Sequence, residues 1–267
     1  MTQFARHFLL ALQFFTRIPV TGRLADWVGF SPAMLRASAA HFPGVGWIVG
    51  ALTAAVLWGL LLVLPAVPAA PWVAAVASTV FGVLLTGAFH EDGLADLADG
   101  LGGSMDRTRA LEIMKDSRIG SYGAIALVLA VLAKVALLAL LAQVDAWLAV
   151  VALFAAHVTS RTVPLFVIRT LAHVGDTPQS KSKPLAESIG NAGLAAGLLW
   201  WALAMALVVW LLPAAPWAQA VLGALIGLGW MWRLLQRRLQ GFTGDGLGAT
   251  QQVSEVLFYL GLCLSLP

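Results

Sequence analysis

The chain has little charge and almost no cysteine. Only 11% of its 267 residues are charged and one is a cysteine, whereas 60% are hydrophobic. A single cysteine excludes an intrachain disulfide and a cysteine-rich metal site, so any metal ligands are carboxylates or histidines. A net charge of +3, without a basic block interleaved with aromatics, argues against nucleic-acid binding. So apolar a composition predicts an integral membrane protein.

Seven apolar stretches are long enough to cross the hydrocarbon core of a bilayer. The predicted spans are 42–64, 72–89, 123–142, 147–168, 193–212, 217–235 and 252–266. The first twenty residues mix polar and apolar side chains with no small-residue cleavage site after them, which favours an interfacial helix over a signal peptide. With no repeat and no soluble-domain boundary, residues 1–267 are predicted to form one all-α polytopic membrane domain.

The positive charges lie on alternate connections between these spans. The connections at 65–71, 143–146 and 213–216 contain no lysine or arginine. The positive-inside rule makes the basic ends cytoplasmic, which predicts seven crossings with the N-terminus inside and the C-terminus outside. The basic residues concerned are Arg6, Arg17, Arg23, Arg36, Arg107, Arg109, Lys115, Arg118, Arg169, Lys181, Lys183, Arg233, Arg237 and Arg238.

A dense group of carboxylates follows directly on the second predicted span, where residues 90–100 read His-Glu-Asp-Gly-Leu-Ala-Asp-Leu-Ala-Asp-Gly. On an α-helix Asp92, Asp96 and Asp99 fall within an arc of roughly 60°, and Glu91 points aside. Three like charges near lipid need a compensating cation. Carboxylate oxygens suit magnesium, which completes its shell with water and substrate phosphates. The alternative is a solvated acidic helix end.

Two glycine-containing segments on the predicted cytoplasmic side carry further candidates. In residues 115–123, Lys115, Arg118 and backbone amides can clamp a diphosphate, and Asp116 can supply another metal ligand. The alternative is a solvated loop that orients the third span. Residues 241–249 lack the ending of a Walker phosphate loop. There Asp245 can bind a ribose hydroxyl, a base edge or a metal-bound water, or the segment is a plain turn.

Lys134, His157 and Arg161 are ionisable side chains inside predicted spans, where such residues are functional candidates. His157 and Arg161 are four positions apart and share a helix face, from which Arg161 can reach the anionic site. Pro164 is expected to kink that helix. Lys134 either neutralises an internal carboxylate or belongs to a proton relay.

Five segments in consecutive order resemble the cobalamin-5'-phosphate synthase family, the adenosylcobinamide-GDP ribazoletransferases. They are residues 10–20, 41–46, 92–100, 115–123 and 243–249. The resemblance implies a Mg²⁺-dependent enzyme of the bacterial inner membrane with its active site on the cytoplasmic side. It implies transfer of the adenosylcobinamide-phosphoryl group from adenosylcobinamide-GDP to a ribose hydroxyl of α-ribazole or its 5'-phosphate, with release of GMP. A second copy of the chain or other cobamide-assembly enzymes are compatible partners beside the lipid bilayer.

For this reaction the candidate residues divide into three roles. The predicted metal ligands are Asp92, Asp96, Asp99 and Asp116. The candidate bases for the hydroxyl proton are Asp99 and Glu91. The predicted substrate-binding residues are Lys115, Arg118, Arg161 and Asp245.

Two other functions stay open at this point. Residues 92–95, Asp-Gly-Leu-Ala, resemble the Asp-Gly-x-x-Ala motif of the CDP-alcohol phosphotransferases, which transfer lipid headgroups, but the alanine comes one position earlier and Asp96 follows it where those enzymes have arginine. A cation or proton-coupled transporter would use the acidic stripe as an ion site, with Lys134 and His157 along a pathway. The clustering of motifs on one face argues against the transporter.

Overall fold

A computed structural model describes residues 2–174 and 188–266, and within these ranges the chain is helical and forms no β-strand. Lys181 and Lys183 lie outside the described residues. The helices are α1 Thr2–Phe15, α2 Gly22–Val28, α3 Pro32–Ser38, α4 Phe42–Val63, α5 Ala70–Thr86, α6 Phe89–Gly103, α7 Arg107–Ile113, α8 Ser121–Val144, α9 Ala146–Thr162, α10 Pro164–Thr170, α11 Asn191–Leu211, α12 Trp217–Arg238 and α13 Gly244–Cys263.

The predicted all-α polytopic architecture is confirmed. Five helical segments are long and apolar enough to cross a membrane: Pro32–Val63, Ser121–Val144, Ala146–Thr170, Asn191–Leu211 and Trp217–Arg238. Helices α5 and α6 together make a sixth candidate that is bent by 89°. The seventh predicted span, 252–266, lies mainly in the second half of α13, which does not pass the same test because its first half is polar. The direction of the crossings stays a prediction.

A sharp break separates α5 from α6. The predicted span 72–89 ends as a helix at Thr86, because Gly87 and Ala88 follow with φ of 68° and 60°. Glycine adopts this left-handed conformation freely, whereas alanine pays about 1–2 kcal/mol for it. The backbone N–H of Arg17 donates to the carbonyl oxygen of Leu85 at 2.7 Å, which ties the N-terminal region to this end of α5. The acidic motif therefore begins a new helix in a new direction.

Helix α9 lies at the centre of the bundle. Its span is 89% buried, whereas the other four unbent spans are 17–39% buried. Helix α4 approaches it closely at Gly46, where a Cβ atom would lie 2.6 Å from the carbonyl oxygen of His157. Small residues allow such contacts between helices in lipid, where packing drives association. Pro164 interrupts the segment as predicted, since α9 ends at Thr162 and α10 begins at Pro164.

An ion pair between α8 and α13 is buried inside the bundle. The Nζ atom of Lys134 lies 2.6 Å from Oε1 of Glu255, and the two side chains are 9% and 1% exposed. The Tyr259 hydroxyl donates to the same Glu255 oxygen at 3.2 Å. The prediction that Lys134 neutralises an internal carboxylate is therefore confirmed. A buried charge without its partner is strongly destabilising, so the pair constrains how α8 and α13 pack.

The close approach of α4 to α9 generates a stability prediction. Gly46→Ala forces the helices apart and lowers the free energy of unfolding by about 1–3 kcal/mol. Gly59→Ala in the same helix is the matched control, because among the described residues nothing lies within 4 Å of a Cβ at that position. Thermal unfolding in detergent measures both. Equal melting temperatures for the two variants would contradict the packing described here.

Candidate active site

Helix α6 carries the carboxylates of the acidic motif in the predicted spacing. Along this helix Asp92 is exposed, Asp96 is partly buried and Asp99 is 8% exposed. The helix therefore leads from solvent into the protein along its acidic side. At its C-terminal end Nη2 of Arg238 donates to the carbonyl oxygens of Leu101 at 3.1 Å and Ser104 at 2.7 Å, so a basic residue from the end of α12 fixes this end of α6.

Helices α6 and α13 cross in almost direct backbone contact. A Cβ atom at Gly93 would lie 2.9 Å from both the Cα and the carbonyl oxygen of Asp245. Across the same crossing, a Cβ at Gly248 would lie 3.3 Å from the carbonyl oxygen of His90. The start of α13 is fixed by Thr243, whose hydroxyl oxygen accepts a hydrogen bond from the backbone N–H of Gly246 at 3.0 Å.

This crossing brings Asp245 to the carboxylates of α6. Burial, followed by the nearby charges of Asp96 and Asp92, raises the pKa of Asp245 to about 7. We call Asp92, Asp96 and Asp245 the acidic cluster. Among the alternatives for Asp245, its position favours a direct role beside the predicted metal ligands over a plain turn.

The donor chemistry of the acidic cluster fits magnesium. Hard carboxylate oxygens are the ligands this ion prefers. Burial and then repulsion from Asp96 and Asp92 raise the pKa of Asp245, and a divalent cation would offset both effects. In residues 2–174 and 188–266, no three acidic, histidine or cysteine side chains already converge at coordination distance. Magnesium usually keeps several waters and takes substrate phosphates as ligands, so one or two protein carboxylates are sufficient for it.

Asp99 occupies a different environment from the acidic cluster. Its two oxygens accept hydrogen bonds from the backbone N–H groups of Gly120 at 2.7 Å and Gly123 at 2.8 Å. A carboxylate at the N-terminus of α8 also interacts favourably with that helix's dipole. The side chain thus holds the start of α8 against α6. Its predicted roles as metal ligand and base stay predictions, and both would compete with these two bonds.

Glu91 points aside from the acidic cluster, as its helical position predicted. Its Oε1 atom accepts a hydrogen bond from Nε2 of Gln252 in α13 at 3.0 Å. Its Oε2 atom is buried and has no hydrogen-bond partner in the described part of the chain. A carboxylate with one oxygen held and the other free can accept a proton from a correctly placed hydroxyl.

The segment at 115–123 borders a pocket of about 280 Å³ beside Asp99. Asp116 and Arg118 line it and are paired with each other, with Nη2 of Arg118 2.6 Å from Oδ2 of Asp116. Hydrogen bonds from Arg118 lower the pKa of Asp116 to about 2. Lys115 is exposed on the same segment. The remaining lining residues are Asp99, Gly103, Arg109, Glu112, Ile113, Gly120, Ser121 and Tyr122.

Arg161 is a buried cation in α9. Its Nη1 atom donates to Nδ1 of His157 at 2.9 Å and to the carbonyl oxygen of His157 at 3.2 Å, as expected for residues four apart. Its charge is attracted by Glu255 and Glu91. Its Nε atom and the Nε2 atom of His157 are buried without hydrogen-bond partners among the described residues. Arg161 therefore keeps unused donor capacity inside the protein.

Sequence reasoning missed the glutamines of α13. Gln251 and Gln252 are almost completely buried, at 1% and 6% exposure, and Gln252 contacts the candidate base Glu91. The signal was present as a polar Gln-Gln-x-x-Glu group at 251–255, where the last predicted span begins. Arg109 and Glu112, which line the pocket, were also missed, because they looked like ordinary loop charges.

Comparisons with known proteins agree on one family. The family model described as cobalamin-5-phosphate synthase matches residues 7–263. A relative from Albidiferax ferrireducens is 61% identical over the whole of both chains, and one from a Polaromonas species is 56% identical over all of this chain and 99% of the relative. A relative from Shewanella halifaxensis is 44% identical over 96% of this chain and 94% of its own. All three are named adenosylcobinamide-GDP ribazoletransferase. No solved structure matches the chain.

The contrast between Asp99 and Asp245 generates opposite stability predictions. Asp99→Asn replaces one acceptor by a donor facing a backbone N–H, so it should lower the free energy of unfolding by about 1.5–3 kcal/mol. Asp245→Asn removes a repelled carboxylate, so without divalent ions it should raise the melting temperature. Thermal unfolding in detergent with EDTA measures both changes. A loss of stability for Asp245→Asn equal to that for Asp99→Asn would contradict the assigned environments.

Proposed function

The chain belongs to the cobalamin-5-phosphate synthase family, and on this premise we propose the reaction that it catalyses. The adenosylcobinamide-phosphoryl group of adenosylcobinamide-GDP is transferred to a ribose hydroxyl of α-ribazole or its 5'-phosphate, and GMP is released. One observation carries the proposal at the level of the site. The α6–α13 crossing brings Asp245 to Asp92 and Asp96, and a pocket with paired arginine and carboxylate side chains lies beside Asp99, farther along the same helix α6.

The reaction exchanges a phosphoanhydride bond for a phosphoester bond. The ribose hydroxyl oxygen forms a bond to the phosphorus attached to cobinamide, and the bond from that phosphorus to the oxygen bridging it to GMP breaks. The hydroxyl proton passes to a base, and GMP leaves with the bridging oxygen. Such transfers depend mainly on positioning the diphosphate and on stabilising its charge.

The residues that would hold magnesium are those of the acidic cluster, Asp92, Asp96 and Asp245. Bound there, the ion would supply positive charge to the diphosphate oxygens and to the departing GMP. Asp116 is a weaker candidate ligand, because both of its oxygens are hydrogen-bonded to Arg118.

Glu91 is the better supported of the two candidate bases. Both oxygens of Asp99 accept backbone hydrogen bonds, whereas Oε2 of Glu91 is without a partner among the described residues. We assign the hydroxyl proton to Glu91 and a positioning role to Asp99, which holds α8 and its pocket against α6. Arg161, a buried cation whose Nε atom has no partner among the described residues, interacts electrostatically with Glu91.

The pocket beside Asp99 is the proposed site for the nucleotide half of the donor. Arg118 and Arg109 line it, and Lys115 is exposed nearby. Arginine binds phosphate oxygens through paired N–H groups, so these side chains can neutralise the GMP phosphate as it leaves. The Asp116–Arg118 pair would open or reorient on binding, since both groups are at the surface.

A location in the bacterial inner membrane, with the site on the cytoplasmic side, belongs to the same proposal. The five apolar candidate spans and the basic residues around α6, α7 and the end of α12 support it. There the corrinoid can lie against the apolar bundle while water-soluble ribazole arrives from the cytoplasm.

The reaction is tested with the full chain purified in detergent. Incubation with adenosylcobinamide-GDP, α-ribazole and Mg²⁺ should release GMP and form the cobalamin product in equal amounts. A parallel reaction with CDP-diacylglycerol and a headgroup alcohol tests the lipid alternative. Release of CMP there, with no GMP from the corrinoid donor under any divalent metal, would overturn the proposal.

The acidic cluster yields a prediction for turnover. Asp92→Asn and Asp96→Asn each remove a ligand charge at nearly constant size, so GMP release should fall by about 100-fold or more while the protein still folds. Asp26→Asn is the matched control, because Asp26 is an exposed residue of α2 far along the chain from the cluster. Wild-type turnover in both variants would show that the metal site lies elsewhere in the protein.

A further inference from the structure

A chain of buried hydrogen bonds leads from the Lys134–Glu255 ion pair to Glu91. Glu255 Oε2 accepts a bond from Nε2 of Gln251 at 2.7 Å. Oε1 of Gln251 accepts a bond from Nε2 of Gln252 at 3.0 Å, and the same Nε2 donates to Oε1 of Glu91 at 3.0 Å. We call Gln251 and Gln252 the glutamine bridge.

The polarity of the chain is fixed at its inner end. Glu255 is a carboxylate that accepts from Lys134 through Oε1, so the side chain facing Oε2 must donate. The Gln251 amide therefore turns its NH₂ toward Glu255, and the second N–H of that group donates to Ser160 Oγ at 2.9 Å. Its carbonyl oxygen is left to face Gln252.

Donor–acceptor pairing also orients the side chains of Gln252 and Glu91. The carbonyl oxygen of Gln251 requires a donor, so Gln252 presents its NH₂ group and uses both N–H bonds, one to Gln251 and one to Glu91. A flipped Gln252 would set an amide oxygen against a carboxylate. Glu91 therefore receives its hydrogen bond on Oε1, and the buried Oε2 is the oxygen left without a partner among the described residues.

We propose that Gln252 is a positioning residue for Glu91, and that the Lys134–Glu255 pair sets its orientation through Gln251. This inference rests on the proposed function for the role of Glu91 as base. Gln252 touches no reacting atom. It holds one carboxylate oxygen so that the other faces the ribose hydroxyl, and its loss should slow the proton transfer without weakening substrate binding.

The test replaces the donor at constant side-chain length. Gln252→Met should lower kcat for GMP release by about 10- to 100-fold, the usual effect of removing a residue that orients a catalytic group, with KM for both substrates changed less than about twofold. Gln143→Met is the matched control, because Gln143 is exposed and bonds only the carbonyl oxygen of Pro68 among the described residues. If the methionine variant fails to fold, Gln252→Glu gives the same test, since it sets a carboxylate against Glu91.

A double-mutant cycle separates positioning from general support of the fold. In a Glu91→Ala background, Gln252→Met should change kcat less than about twofold, because the group it acts through is gone. A further loss as large as in the wild type would overturn the proposal. A wild-type kcat in the single Gln252→Met variant would also overturn it, since the reaction would then proceed without the donor.

Thermal unfolding tests the contact between Gln252 and Glu91 without any need for turnover. The melting temperatures of wild type, Glu91→Ala, Gln252→Met and the double variant should be non-additive, with the double variant falling less than the sum of the singles. Additive changes in melting temperature would show that Gln252 and Glu91 do not support each other, and would overturn the proposal. Absence of GMP release from the wild type, together with a non-additive cycle, would instead reject the proposed function and leave the contact standing.

Discussion

The site depends on the crossing of α6 and α13, where Gly93 and Gly248 let the two backbones meet. A side chain at Gly93 would clash with the Asp245 backbone and move Asp245 away from Asp92 and Asp96. The contact therefore joins residues about 150 positions apart in the chain into one acidic cluster. It buries Asp245 beside like charges, and burial followed by those charges raises the pKa of Asp245. A protein gains nothing in stability from such a cluster, which is why a cation and an anionic substrate are its natural occupants.

The apolar bundle behind the cluster supports it with buried polar contacts. The Lys134–Glu255 pair, the glutamine bridge and Ser160 connect α8, α9 and α13, and Gln252 carries this connection to α6. In an environment with little water each of these groups needs its partner, so the network tolerates few alternative arrangements. The Asp99 side chain plays the corresponding part on the other flank, where it fixes the start of α8. Helix α6 is thus held from both sides while its acidic face stays accessible.

Local patterns in the sequence predicted much of this arrangement. The spacing of Asp92, Asp96 and Asp99 predicted a helix, and the apolar runs predicted the spanning helices, because both depend on neighbours close in the chain. The end of α5 at Thr86 was not predicted, because Ala88 adopts a left-handed conformation that its residue type does not announce. The partners of Asp99 and Asp245 lie 21 and about 150 positions away, and only tertiary packing decides them. The buried Gln251 and Gln252 interrupted an apolar stretch, a signal that pattern reading passed over.

The central claim is that carboxylates from α6 and α13 together bind a divalent ion that contacts diphosphate. Electron paramagnetic resonance of Mn²⁺, used in place of Mg²⁺ with GDP present, measures this directly on the detergent-solubilised protein. The account predicts saturable bound Mn²⁺ with hyperfine coupling to phosphorus in the wild type, and a loss of affinity of about tenfold or more in both Asp96→Asn and Asp245→Asn. Binding of equal affinity in the wild type and in both variants would contradict it.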